Sequence, residues 1–131
     1  MPLRGSAEAV CLGGMAQETL MIGWTTVDSE GAAEVLARGA VDAGLAACAQ
    51  VDGPVRSFYE WKGKVCDDRE WRVTFKFAEA RAGALESWLG GAHAYDTPQW
   101  VVCRADRVAE AYRKWVLEQC MGAGGLEDGP H

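Results

Sequence analysis

The chain has no C-x-x-C pair, only two histidines, and thirteen basic against nineteen acidic side chains. Each shortage removes a class of function. Its five cysteines, Cys11, Cys48, Cys66, Cys103 and Cys120, are an odd number without metal-ligand spacing. That excludes a disulfide framework and a zinc ribbon, and it points to a reducing, cytoplasmic setting in which all five are thiols. A net charge of −6 and a pI near 4.9 repel a phosphate backbone, so nucleic acid is not an expected partner. No apolar run approaches the roughly 20 residues that span a bilayer, so no membrane partner is expected. Gly-rich phosphate loops, a Ser-His-Asp pattern and H-E-x-x-H are all missing, and the chain is not expected to be an enzyme.

What is present suits one globular domain. The chain has 131 residues, and its 49% hydrophobic and 24% charged residues allow a core without staples. Residues 1–19 read as an extension whose short apolar piece, Ala9 to Leu12, is broken by Gly13 and Gly14 and is too short for a secretory signal. Residues 20–120 read as the domain, and the Gly-rich residues 121–131 as a flexible tail.

Within the domain, Leu20 to Thr26 is apolar and β-branched, a strand. Asp28 or Ser29 caps a helix carrying Val35, Leu36, Ala40 and Ala43, which Gly44 ends; Gly31 and Gly39 within it suggest close packing on a sheet. Leu45 to Val51 predicts a second strand stopping at the turn Asp52-Gly53-Pro54. Val55 to Trp61 and the arm returning after Lys62-Gly63-Lys64 predict a hairpin. That arm alternates cleanly, with Trp71, Val73, Phe75 and Phe77 on one face and Arg72, Thr74 and Lys76 on the other. A helix over Glu79 to Trp88 stopped by Gly90-Gly91, a strand over Trp100 to Cys103, and a last helix capped by Asp106 complete the order β-α-β-β-α-β-α. This is an α+β, ferredoxin-like pattern: an antiparallel sheet with helices on one face. Helices on one face leave the other to be covered, and the aromatic hairpin with Phe58, Tyr59, Trp61 and Trp71 predicts a subunit interface.

Three segments carry a family resemblance: Leu45-Ala46-Ala47-Cys48-Ala49, Ser57-Phe58-Tyr59-Glu60-Trp61-Lys62-Gly63-Lys64-Val65, and His93-Ala94-Tyr95-Asp96-Thr97-Pro98. Together they resemble the signatures of the CutA divalent-cation tolerance family, over about Leu20 to Cys120. The resemblance implies a cytoplasmic, non-enzymatic homotrimer linked to tolerance of copper and other divalent ions. In the family's bacterial pattern copper is held by a cysteine closing the first strand and by two adjacent histidines. Those positions fall on Trp24, Ala92 and His93, so His93 alone carries over as a metal ligand, and copper or another divalent cation is expected to bind weakly. The trimer would bring Glu60, Trp61, Lys64 and Lys76 against a neighbour's Tyr95, forming an interface pocket. The resemblance to PII-type trimers implies a second reading, a small anionic ligand or a protein partner held in clefts between subunits.

The residues themselves leave alternatives open. His93 is either a ligand or a turn histidine bonded within the fold, and His131 is solvated. Asp67, Asp68 and Glu70 either supply hard oxygen ligands or keep a hairpin arm soluble, with solvation the default for a short charge run, and Cys48 and Cys103 read as small core residues.

Overall fold

The structure, a computed structural model, describes residues 18–120. The expectations for the extension before Glu18 and for the tail lie outside the described residues. Leu20–Val27 forms strand β1 and Glu30–Asp42 helix α1. Cys48–Trp61 and Lys64–Ala78 are β2 and β3, and one 3₁₀ turn, Glu79–Arg81, leads into α2 at Ala82–Ala92. Val101–Arg104 is β4 and Glu110–Cys120 is α3. The sheet runs β2-β3-β1-β4 with every neighbouring pair antiparallel, the ferredoxin-like order that the sequence pattern predicts.

Alternation divides the sheet into two unlike faces. Met21, Gly23 and Thr25 stand opposite Phe77, Phe75 and Val73. Phe77, Phe75, Val73 and Thr25 are fully buried, and Met21 is buried with them, together with Ala33, Leu36 and Ala40 of α1 and Leu85 and Leu89 of α2. The period of two in β3 and the helical spacing in α1 and α2 therefore meet in one core. Gly23 has a steric role there. A Cβ on it would lie 2.6 Å from the Trp100 ring, which stacks on Phe77 and meets Phe75 edge-on.

The second face carries Leu20, Ile22 and Trp24 opposite Ala78, Lys76 and Thr74. Leu20 and Ala78 are buried, and α3 reaches this side: the Lys76 ammonium lies 5.8 Å over the Tyr112 ring. Arg81 holds the end of α3 through a 2.8 Å bond from its Nε to the Cys120 carbonyl. The two crossover helices share one face as expected, and the appended α3 covers part of the other.

Several local expectations are corrected. Leu45 to Ala47 is not strand, because the N–H groups of Leu45 and Ala46 donate back to the Ala40 carbonyl and cannot join a ladder before Cys48. The chain does not turn at Asp52-Gly53-Pro54; β2 runs through it as an edge strand with a register shift between Asp52 and Val55, where a proline without an N–H is tolerated. Gly90-Gly91 does not stop α2, which continues to Ala92 and is closed by His93 N–H donating to Leu89 at 2.8 Å. The helix α3 starts at Glu110, so Asp106 is not its cap. Gly39 packs on Trp88 of α2 rather than on the sheet, and Gly31 meets nothing within 4 Å. Cys48 is half-buried and Cys103 exposed, because both alternate onto the second face in line with Lys76 and Ile22 and so miss the core.

One feature dominates the outline. β1 ends at the pair Val27 and Trp71, whereas β2 and β3 continue together from Val55 and Glu70 to Trp61 and Lys64. This free ribbon projects roughly 20 Å at about 3.3 Å per residue. Lys62 and Gly63, both with positive φ, close it in two residues.

Candidate functional site

His93 leaves α2 with an extended backbone and turns its ring under the sheet, where only 9% of the residue is accessible. Nε2 lies 3.0 Å from Thr25 Oγ1 and 3.0 Å from the Thr26 carbonyl oxygen. Thr25 spends its one hydroxyl proton on the Gln99 carbonyl at 2.7 Å, so towards His93 it can only accept. A carbonyl can only accept as well. Nε2 therefore carries the proton, and Nδ1 uses its lone pair to accept the Tyr95 backbone N–H at 3.1 Å. The ring is the neutral Nε2–H tautomer with both nitrogens engaged.

Tyr95 continues the chain of contacts. Its hydroxyl donates to Glu70 Oε2 at 2.7 Å, and Ser57 donates to Glu70 Oε1, also at 2.7 Å. Burial, then the bond to Glu70, holds the Tyr95 phenol well above the ordinary tyrosine range. A carboxylate at the root of the ribbon is thus tied to both arms and to the loop after α2. Two other ribbon acids are also engaged: Arg56 Nη2 pairs with Asp67 at 2.5 Å, and Tyr59 donates to Asp68, which raises the exposed Tyr59 phenol to about 12. Asp67 and Asp68 are exposed, as the expected solvating run requires, and only the half-buried Glu70, bonded to Tyr95 and Ser57, departs from that expectation. Thr25, Ser57 and the structural use of Glu70 were missed in the sequence, because no local pattern links residues that meet only across the fold.

The expected interface residues do not gather within one chain. Glu60, Trp61 and Lys64 sit at the ribbon tip, Tyr95 at its root, and Lys76 beyond the root, opposite Cys48. Lys62 lies over the Trp61 ring at 5.8 Å and Arg56 over Phe58 at 5.1 Å, so the tip presents aromatic rings flanked by cations.

The family model described as CutA1 divalent ion tolerance protein matches residues 21–119. The chain belongs to this family. A CutA homolog of Xenopus laevis is 31% identical over 98 residues, which is 75% of this chain and 65% of that protein. The divalent-cation tolerance protein CutA of Pyrococcus horikoshii is 31% identical over 100 residues, 76% of this chain and 97% of its own. The vertebrate relatives are longer, and the match spans 53% of the Homo sapiens protein. Among solved structures, CutA from Synechococcus elongatus superposes with a TM-score of 0.75 at 35% identity, covering 78% of this chain and 90% of its own.

The CutA ligand pattern can be tested on this geometry. Trp24 and Ala92 stand at two of its positions and provide an indole and a methyl group. His93, at the third, has no lone pair to spare, and no trio of His, Cys, Asp or Glu among the described residues is placed to hold a metal ion. The residues do not fit a preformed copper site within one chain.

Proposed function

We propose that this CutA-family chain works as a non-enzymatic homotrimer in the cytoplasm and serves tolerance of divalent ions through its assembled form. The observation that supports the assembly is the ribbon. It carries Phe58 61% exposed and Val65 77% exposed on one side, and Trp61 62% exposed on the other. A two-stranded ribbon is marginally stable alone in water, and exposed aromatics on both of its sides favour burial against another copy. The stoichiometry of three follows the resemblance. Copper or another divalent cation would then bind weakly, through surface carboxylates and water rather than through a built imidazole site.

A second reading has its own support. The ribbon tip, with Trp61, Lys62 and Lys64, meets Tyr95 and Lys76 only if another subunit brings them together, and such a cleft would offer cations and rings to a small anionic ligand or a protein partner. Sedimentation equilibrium of the full chain tests the assembly. A mass three times the 14.1 kDa chain is expected, falling towards one chain in a Phe58→Asp, Trp61→Asp variant, whereas a wild-type monomer at micromolar concentration overturns it. Thermal shifts on the trimer then separate the two readings: stabilisation by copper supports the first, and stabilisation by phosphorylated or carboxylated metabolites without metal supports the second.

A further inference from the structure

We infer that His93 is a positioning residue that ties the ribbon root to the sheet, and that it is not the metal ligand that the family pattern makes of the same position. The inference does not rest on the assembly proposed above, because every group involved belongs to one chain.

The argument follows the proton positions. Three partners surround the imidazole, and the direction of each bond is fixed. The Thr26 carbonyl accepts only, the Tyr95 backbone N–H donates only, and Thr25 has spent its proton on Gln99. Together they specify one tautomer. A cation approaching Nδ1 would have to displace the Tyr95 N–H, leaving a half-buried backbone donor unpaired. One approaching Nε2 would have to remove its proton and strip two acceptors of their donor. The family pattern needs two more donors to repay that loss, and Trp24 and Ala92 supply neither.

The same bonds have a positive use. β1 ends at Val27, so nothing in the sheet holds the ribbon beyond Trp71. The run Thr26 carbonyl, His93 ring, Tyr95 backbone, Tyr95 hydroxyl, Glu70 and Ser57 crosses that gap and reaches both ribbon arms. The rings of His93 and Tyr95, with centroids 5.0 Å apart, pack together along it. His93 sets where the Tyr95 hydroxyl stands, and that hydroxyl sets Glu70.

Long-range 1H–15N spectra of the full labelled chain at pH 7.5, without and with excess Zn2+, provide the direct test. A protonated Nε2 and an unprotonated Nδ1 at His93, both unmoved by Zn2+, are expected. The opposite tautomer, or a Zn2+-dependent shift of either His93 nitrogen, overturns the inference. Hydrogen exchange of the ribbon amides at Val55 and Glu70 tests the positioning role. Exchange about tenfold faster is expected in His93→Ala and in Tyr95→Phe, with partial recovery in His93→Asn, whose Oδ1 can still accept the Tyr95 N–H. Unchanged exchange in Tyr95→Phe, or an Asn variant no better than Ala, overturns it. Should His93→Ala fail to fold, the wild-type spectra and the Tyr95→Phe exchange still decide. Sedimentation of the same samples separates the two proposals, since a monomer with the expected tautomer removes the trimer and leaves this inference standing.

Discussion

Tyr95 and Glu70, twenty-five positions apart, meet at 2.7 Å through a phenol that donates to a carboxylate at the root of the ribbon. The Tyr95 phenol is held above its ordinary value of 10.0, first by burial and then by Glu70. A raised pKa means that the folded chain favours the protonated phenol. Its contribution is full below about pH 10 and is lost as pH rises through the higher folded value. Tyr95→Phe is expected to cost about 1–2 kcal/mol at pH 7, because Glu70 Oε2 loses its donor, and to flatten the alkaline decline. Urea unfolding at pH 7, 9 and 10.5 measures both, and an alkaline limb of unchanged steepness counts against this account.

Two glycines offer opposite outcomes. Gly23→Ala places a methyl group 2.6 Å from the Trp100 ring on the packed face, and a loss of about 1–3 kcal/mol is expected as that ring is pushed off Phe77. Gly90→Ala, in the last turns of α2 with nothing within 4 Å, is expected to gain about 0.5–1 kcal/mol. Thermal unfolding of the two variants side by side checks the contrast in sign.

The carboxylates of Asp52 and Glu79 are lowered by hydrogen bonds from Arg72 and Arg104. A depressed carboxylate adds stability above its unfolded value, and that stability disappears as pH falls through the lower folded value, so the loss lies below about pH 4. Both pairs are largely exposed, and each is expected to contribute under about 1 kcal/mol. Asp52→Asn should therefore leave stability at pH 7 nearly unchanged and make the acid limb slightly shallower. A drop of several kcal/mol at neutral pH would contradict the screening argument.

Thiol reactivity should follow depth in the fold. Cys103 is exposed and Cys66 half-buried on the ribbon, whereas Cys120 is buried and its thiol is pushed up by that burial. With a disulfide reagent at pH 8, Cys120 is expected to react at least tenfold more slowly than Cys103. Mass spectrometry of quenched samples identifies the sites. Equal rates would place Cys120 outside the packed interior.

The sequence alone determined the element order, the face that Val73, Phe75 and Phe77 share, the hairpin turn at Lys62-Gly63 and the family, because periodicity and turn chemistry are local and the signature segments are contiguous. It also kept open whether His93 was a ligand or a residue bonded within the fold. Only the tertiary structure showed the ring's hydrogen bonds, since the partners that assign its protons, Thr25, Thr26 and Tyr95, come from β1 and from the loop after α2 and share no local pattern. The course of β2 through Gly53-Pro54 was likewise beyond local reading. A Gly-Pro step resembles a turn until a neighbouring strand is present to hold it, and β3 holds it at an edge where the missing N–H costs nothing. The helix running through Gly90-Gly91 has the same cause: burial of Leu85 and Leu89 against the sheet outweighs about 1 kcal/mol per glycine of lost propensity.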